Sequence, residues 1–355
     1  MSGRECYRGD VDEAWCHEAV QGVSRTFALT VDVLEEPMST HICLGYLLCR
    51  VADTVEDAGH LPPAEQAAIL RTYRDAVDPA SDATIADFRA DVDEYVPAES
   101  ERDADWEVVA ESPTVLATFE ALPGDVRGAI VGPVVEMVDG MAAFVERYSH
   151  TGGLRIGDPQ ELEEYCHYAA GTVGELVTNL LTRSDVDQDR ARRMQGTAEE
   201  FGQLLQLTNV SKDVYDDYVD ENNVYLPDEW LAAEGVPQES VVEPEHRGAA
   251  ARVVQRTANH ARGFLDDAQT YLESMPLVHG NTLEAWSVPF LLAVGTLREL
   301  GARPEDALTE RGVKVSREEV FAVTHAASTT GREALADLRE TIAREPFEGV
   351  EQHAD

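Results

Sequence analysis

Apolar residues recur at every third or fourth position along most of the chain, the spacing that gathers them on one face of an α-helix. Strand-like alternation is scarce and β-branched runs are short. The pattern predicts helices over about 11–22, 40–58, 63–77, 123–149, 159–183, 187–220, 246–274, 283–300 and 317–343. Breakers stand between them: Pro62-Pro63, Pro123-Gly124, Thr151-Gly152-Gly153, Pro227, Pro237 and the stretch from Gly301 to Pro304. Ser316 followed by Glu319 makes a capping-box start for the last helix. The stretch 79–112, acidic and poor in large apolar residues, reads as a solvated insertion, either a connection or an exposed helix. With no internal repeat and no clean linker, the expectation is all-α, one helical domain over residues 1–355.

Two of these helices carry a polar stripe on an apolar body. In 40–58, Tyr46, Arg50, Asp53 and Asp57 follow one another at steps of 4, 3 and 4. Leu44, Leu47, Leu48, Val51 and Val55 cover the rest of the surface. Glu56 joins Asp53 and Asp57, so three carboxylates share a face. Like charges at this spacing repel by roughly 0.2–0.5 kcal/mol per pair, and a hard cation held by carboxylate oxygens offsets that repulsion. In 187–220, Asn209, Asp213 and Asp217 fall at i, i+4 and i+8, with Gln206 one turn earlier and Asp220 beyond. Leu207, Val210, Val214 and Tyr218 line an apolar face beside them. An amide oxygen and carboxylates form an oxygen-only donor set, which suits Mg²⁺ rather than zinc.

Composition changes the weight of these clusters. The 355 residues include 68 acids against 28 bases, a net charge of −40. Three specified positions are then all acidic by chance roughly twice in a chain of this length. The bare Asp-x-x-Glu-Asp spacing is therefore weak, and its apolar setting is what carries the argument. Charge of this size repels nucleic acid and anionic lipid, so nucleic acid is excluded as a partner. Acids are spread along the whole chain and 43% of residues are hydrophobic, which predicts a folded protein of a high-salt, halophilic cytoplasm. Only Lys212 and Lys314 among the basic residues are lysines, which draws attention to both. Lys212 stands beside the second cluster as a phosphate contact.

Cys6, Cys16, Cys43, Cys49 and Cys166 show no paired spacing and are expected as reduced thiols. The segment Met1 to Glu13 is polar, the longest apolar runs (Ile42–Cys49 and Val288–Leu297) are short of a membrane span, and Glu345–Asp355 is polar. A soluble, cytoplasmic chain is expected. His41, His167 and His260 are expected as structural residues, and no phosphate-binding glycine loop, HExxH or GxSxG motif occurs. Two oxygen-ligand faces could clamp several Mg²⁺ ions around a diphosphate and stabilise its departure from an allylic carbon. The resulting carbocation needs a dry apolar wall, which Leu-, Val- and Ala-rich helices can supply.

Four segments, taken in order, resemble the squalene/phytoene synthase family from about Ser24 to Ser316. Ser24-Arg25-Thr26-Phe27 is similar to its early Ser-Arg-x-Phe element, and Arg50-Val-Ala-Asp53-Thr-Val-Glu56-Asp57 to its first aspartate-rich motif. Tyr165-Cys-His-Tyr-Ala-Ala-Gly171-Thr-Val-Gly174 resembles its tyrosine element, and Thr208-Asn209-Val-Ser-Lys-Asp213-Val-Tyr-Asp-Asp217 its second aspartate-rich motif. The Tyr-Cys-His-Tyr form, Gln206, and Gly312-Val313-Lys314-Val315 after the Pro289 helix look more like the squalene-forming branch.

The resemblance implies an isoprenoid-synthase-type helical bundle around a central apolar cavity. It implies a transferase that joins two farnesyl diphosphates head to head through presqualene diphosphate, then reduces that intermediate with NADPH to squalene. On this resemblance Asp53, Glu56, Asp57, Asn209, Asp213 and Asp217 would hold Mg²⁺. Arg25, Phe27, Tyr46, Arg50, Gln206 and Lys212 would bind substrate, and Arg25, Arg50 and Lys314 would bind NADPH. Tyr165 would assist proton removal. A monomer is expected, with transient membrane contact for product release and a place at the membrane periphery. Two departures stand out: Glu221-Asn222-Asn223-Val224-Tyr225 lacks the family's Gly-Arg, and Ser316 replaces a second cation. Phytoene or dehydrosqualene synthesis, without reduction, is the alternative enzyme, and a non-catalytic scaffold the alternative of another class.

Overall fold

The predicted breakers become helix boundaries in the computed structural model, which describes residues 9–183, 186–276, 281–329 and 331–349. No strand forms among the described residues; one isolated parallel bridge joins Arg155 and Val224. The helices group into two compact units, Met1–Leu154 with His167–Val186, and Arg155–Cys166 with Asp187–Asp355.

The first unit holds α1 (Glu13–Val23), α2 (Arg25–Val33), α3 (Met38–Glu56), α4 (Pro63–Val77), α5 (Ile85–Val92), α6 (Ala104–Ala110), α7 (Ser112–Glu120) and α8 (Gly124–Arg147). The second begins with α9 (Pro159–Cys166), and a π turn at His167–Gly171 leads into α10 (Thr172–Thr182) of the first. By length and composition α8 could cross a membrane, yet more than half of its apolar window is buried, and it packs against α3, α4 and α10. Gly140 of α8 is required by Tyr168: a Cβ there would lie 2.1 Å from the tyrosine ring. The stretch 79–112 is not the solvated insertion its acids suggest. Phe88 and Val92 on α5, and Trp106 and Val109 on α6, stand three or four residues apart and are buried against α4, α7 and α3.

The second unit continues with α11 (Gln188–Gln195), α12 (Ala198–Lys212), α13 (Val214–Asp220), α14 (Asp228–Ala233), α15 (Arg247–Arg262), α16 (Leu265–Ser274), α17 (Thr282–Ala302), α18 (Arg317–Thr329) and α19 (Leu335–Arg344). The long helices expected at 187–220, 246–274 and 317–343 are thus broken, at Gly196-Thr197 and Asp213, at Gly263, and around Gly331. At the glycine sites weak helix propensity lets the chain turn so that each piece packs separately. Helix α12 lies at the middle of this unit, packed by α15, α16 and α17, with Phe201 against the rings of Tyr271 (5.1 Å between centroids) and Trp286 (6.2 Å). Ser316 Oγ caps α18 by accepting from the Glu319 amide at 3.1 Å, but the expected capping box is only half formed, because the Glu319 carboxylate turns away from the Ser316 amide. The Glu319 carboxylate is buried and meets Arg298 of α17 through two bonds of 2.7 and 2.8 Å. Arg298 also donates to the carbonyls of Ile342 (2.8 Å) and Glu345 (3.0 Å), and the Phe347 amide donates to Glu319 Oε1 at 3.0 Å.

The cysteines in the described residues, Cys16, Cys43, Cys49 and Cys166, are free and buried; Cys6 lies outside the described residues. His167 pairs with Glu136 (3.3 Å) and His260 with Glu163 (2.8 Å), both structural as expected. His41 differs. It is buried, its Nδ1 has no hydrogen-bond partner among the described residues, and burial and the nearby Arg183 lower its pKa.

Candidate active site

Helix α3 is buried at every position except Tyr46, Arg50 and Asp53, and Asp57 at its C-cap is also open. Those are the four residues of the predicted stripe. Glu56 departs from it: the side chain is buried, and its hydrogen bond to Asp57 holds that carboxyl down against the larger upward push of burial. Burial pushes Asp53 up to about 7 against the pull of Arg50, with Asp57 and Asp105 pushing the same way. Arg50 Nε donates to Asp105 Oδ1 at 2.7 Å, and its NH1 lies 3.8 Å from Asp53. Asp105, on the first turn of α6, is missed by sequence reading because it belongs to the acidic stretch taken as solvent-exposed.

Ser24, Phe27 and Tyr46 are one assembly. Ser24 Oγ caps α2 by accepting from the Phe27 amide (3.2 Å), and Phe27 stacks on Tyr46 with ring centroids 3.9 Å apart and planes at 17°. Burial raises the Tyr46 hydroxyl to about 12, although Arg50 and a hydrogen bond with Ser24 pull the other way. Arg25 opens α2, and its side chain lies outside the described residues.

In the second unit α12 is buried from Phe201 to Lys212 except at Leu205, Gln206, Asn209 and Lys212. The predicted stripe therefore survives, joined by one apolar residue. The helix breaks at Asp213 (φ −101°, ψ 13°), yet the i to i−4 bonds run on, Asp213 N to Asn209 O at 3.0 Å and Asp217 N to Asp213 O at 2.9 Å. Lys212 pairs with the Asp213 carboxylate, so its charge is spent on that neighbour. Both acidic motifs thus fall at the C-terminal end of a core helix, Asp57 and Asp213 as C-caps. The negative end of the helix dipole adds to the carboxylates there and favours a cation.

No three carboxylate, thiolate or imidazole groups converge as a ready-made metal cage among the described residues. Mg²⁺ is commonly held by one or two carboxylates, its remaining positions filled by water and substrate phosphates. The donors fit that use: oxygen-only, at helix C-termini, with the Asp53 carboxyl raised by burial to about 7, a cost of ionisation that a bound cation would offset.

Tyr165, in the last turn of α9, is buried, and its hydroxyl donates to Tyr225 Oη at 3.1 Å. Helix α9 packs on α12, where Gln203 Nε2 donates to the Glu163 carbonyl at 2.9 Å. Lys314 is exposed. Gly312 turns the chain at φ 62°, Val313 is buried, and Val315 lies against Gly295 of α17, an alternation that leaves Lys314 outward with no ion pair among the described residues.

The fold is the all-α isoprenoid-synthase type. The solved structure of TcSQS with the ligand E5700 matches with a TM-score of 0.78 at 22% identity, covering 93% of this chain and 89% of that one. A dehydrosqualene synthase in complex with a ligand matches with 0.60 at 20% identity, covering 89% and 95%. The squalene/phytoene synthase family model matches residues 20–319, and the chain belongs to that family. The probable squalene synthase of Neurospora crassa is 26% identical over 307 residues, 86% of this chain and 60% of the relative. The squalene synthase of Ganoderma lucidum is 30% identical over 217 residues, 60% of this chain and 43% of its own. The chain spans about 60% of the length of the Neurospora relative.

Proposed function

We propose that the chain condenses two farnesyl diphosphates head to head through presqualene diphosphate and reduces the intermediate with NADPH to squalene. The observation that supports this best is α3, sealed in the core except along Tyr46, Arg50, Asp53 and Asp57. An apolar helix opened along one polar stripe is suited to present a cationic and metal-binding edge to a diphosphate. Asp53, Asp57, Asn209, Asp213 and Asp217 would hold Mg²⁺, with Glu56 behind Asp57. Bound Mg²⁺ would supply the Lewis acidity that stabilises the leaving diphosphate.

The chain's own residues do the rest. Arg50, fixed by Asp105, binds a phosphate oxygen, with Arg25 as a second cation. The stacked Phe27 and Tyr46 wall off water beside it. Gln206 and Asn209 orient the diphosphate, with Lys212 balancing Asp213. Tyr165 assists proton removal in the condensation step, as phenolate beside the bound cations. Lys314 contacts NADPH. The protein would act as a cytoplasmic monomer at the membrane periphery, releasing its product by transient membrane contact.

Incubation with farnesyl or geranylgeranyl diphosphate and Mg²⁺, with and without NADPH, tests this. Squalene formed only with NADPH is expected. A C40 product, or a product indifferent to NADPH, would point instead to phytoene or dehydrosqualene synthesis. The likeness to the dehydrosqualene synthase, weaker than that to TcSQS, keeps that second reading in view. A chain inert with either diphosphate would be a scaffold.

A further inference from the structure

We infer that Tyr225, the aromatic that follows the loop where this chain lacks its family's Gly-Arg, is a positioning residue for Tyr165. The inference rests on the proposed condensation activity. Tyr225 is buried, its ring centroid lies 4.8 Å from that of Tyr165 with planes 33° apart, and the two hydroxyl oxygens are 3.1 Å apart. The same Tyr225 oxygen accepts from Asn223 Nδ2 at 3.1 Å. Asn223 is buried in turn, and its backbone amide donates to the Asp217 carbonyl at 2.9 Å. The loop is pinned from its other side. Arg155 donates to the Asn222 carbonyl and, at 2.7 Å, to Asn222 Oδ1, while Ile156 N donates to the Val224 carbonyl at 3.2 Å. Asn222 sits at φ 60°, a left-handed turn that asparagine tolerates better than most residues.

A phenol hydroxyl rotates about its C–O bond and can present either a proton or a lone pair. The bond to Tyr225 fixes the direction of the Tyr165 oxygen whichever phenol carries the shared proton, and once Tyr165 is ionised Tyr225 can donate to it, stabilising the phenolate that takes up a proton. One short loop thus links Asp217 of the second acidic stripe to the direction in which the Tyr165 hydroxyl points.

The test uses the full-length chain with Tyr225→Phe, which removes one oxygen and leaves the ring. Presqualene diphosphate formation from farnesyl diphosphate and Mg²⁺ is measured without NADPH, alongside thermal stability. The expected result is a kcat about 10-fold lower with KM and Tm little changed, and a double variant no slower than Tyr165→Phe alone. In the protein labelled at tyrosine Cζ, the Tyr165 resonance, assigned with Tyr165→Phe, should shift in Tyr225→Phe. Wild-type kcat in Tyr225→Phe, or losses that multiply in the double variant, would overturn the inference. A stationary Tyr165 resonance would overturn it as well. A wild-type chain that makes no presqualene diphosphate would instead defeat the proposed activity, while the resonance shift still decides whether Tyr225 orients Tyr165.

Discussion

Replacing Asp53 with asparagine should make the metal-free protein more stable at alkaline pH while removing its Mg²⁺ response. Burial lifts the Asp53 carboxyl from the ordinary 3.8 to about 7. The folded chain therefore binds more protons than the unfolded chain between those values, and stability falls as pH rises through that window. At 1.36 kcal/mol per pH unit the rise corresponds to a ceiling of about 4 kcal/mol. The side chain keeps 27% of its surface in water. Solvent and dissolved salt therefore reduce the cost to about 1–2 kcal/mol. The asparagine carries no charge, so Asp53→Asn should gain that amount at pH 8 and match the parent near pH 4, where both side chains are neutral. Urea denaturation in concentrated KCl with EDTA, repeated from pH 4 to 8, measures the difference. Adding Mg²⁺ at pH 8 should stabilise the parent and leave the variant unmoved. Equal gains at both pH values, or none at pH 8, would refute the account of Asp53 as a carboxylate held at a cost for a cation.

Asp105→Asn should shift that same pH-dependent loss of stability below 7. It removes a charge that pushes Asp53 up and leaves Arg50, 3.8 Å away, less neutralised; the same urea series reads it out. Gly140→Ala should cost about 1–3 kcal/mol in urea unfolding, because the new methyl meets the Tyr168 ring. Lys314→Ala should leave presqualene diphosphate formation and Tm unchanged, since the residue is exposed without an ion pair among the described residues, while raising the KM for NADPH in the second step.

The acidic stripe of α3 was legible because a helix sealed on every other side leaves its period in the sequence. The stripe of α12 was legible for the same reason, but its break at Asp213 was not. No glycine or proline marks that position, and the hydrogen bonds continue across it. Asp105 escaped notice because its partner Arg50 is 55 residues away in sequence, and an acid among many acids carries no local mark. Glu56 was read as a member of the open face, although packing turns it inward. The Tyr165–Tyr225–Asn223 contacts were hidden for another reason: a loop's missing Gly-Arg is visible in sequence, but what the replacement residues touch is set by packing.

The Arg298–Glu319 pair has a practical consequence at the chain's end. Arg298 exposes only 10% of its side chain, so dissolved ions that loosen surface pairs reach it poorly. A protein ending at Glu348 would keep every group bonded to this pair. One ending at Arg344 would lose the Glu345 carbonyl and the Phe347 amide, leaving a buried ion pair short of two partners. A fusion partner or affinity tag is therefore safe beyond Phe347 and harmful before it.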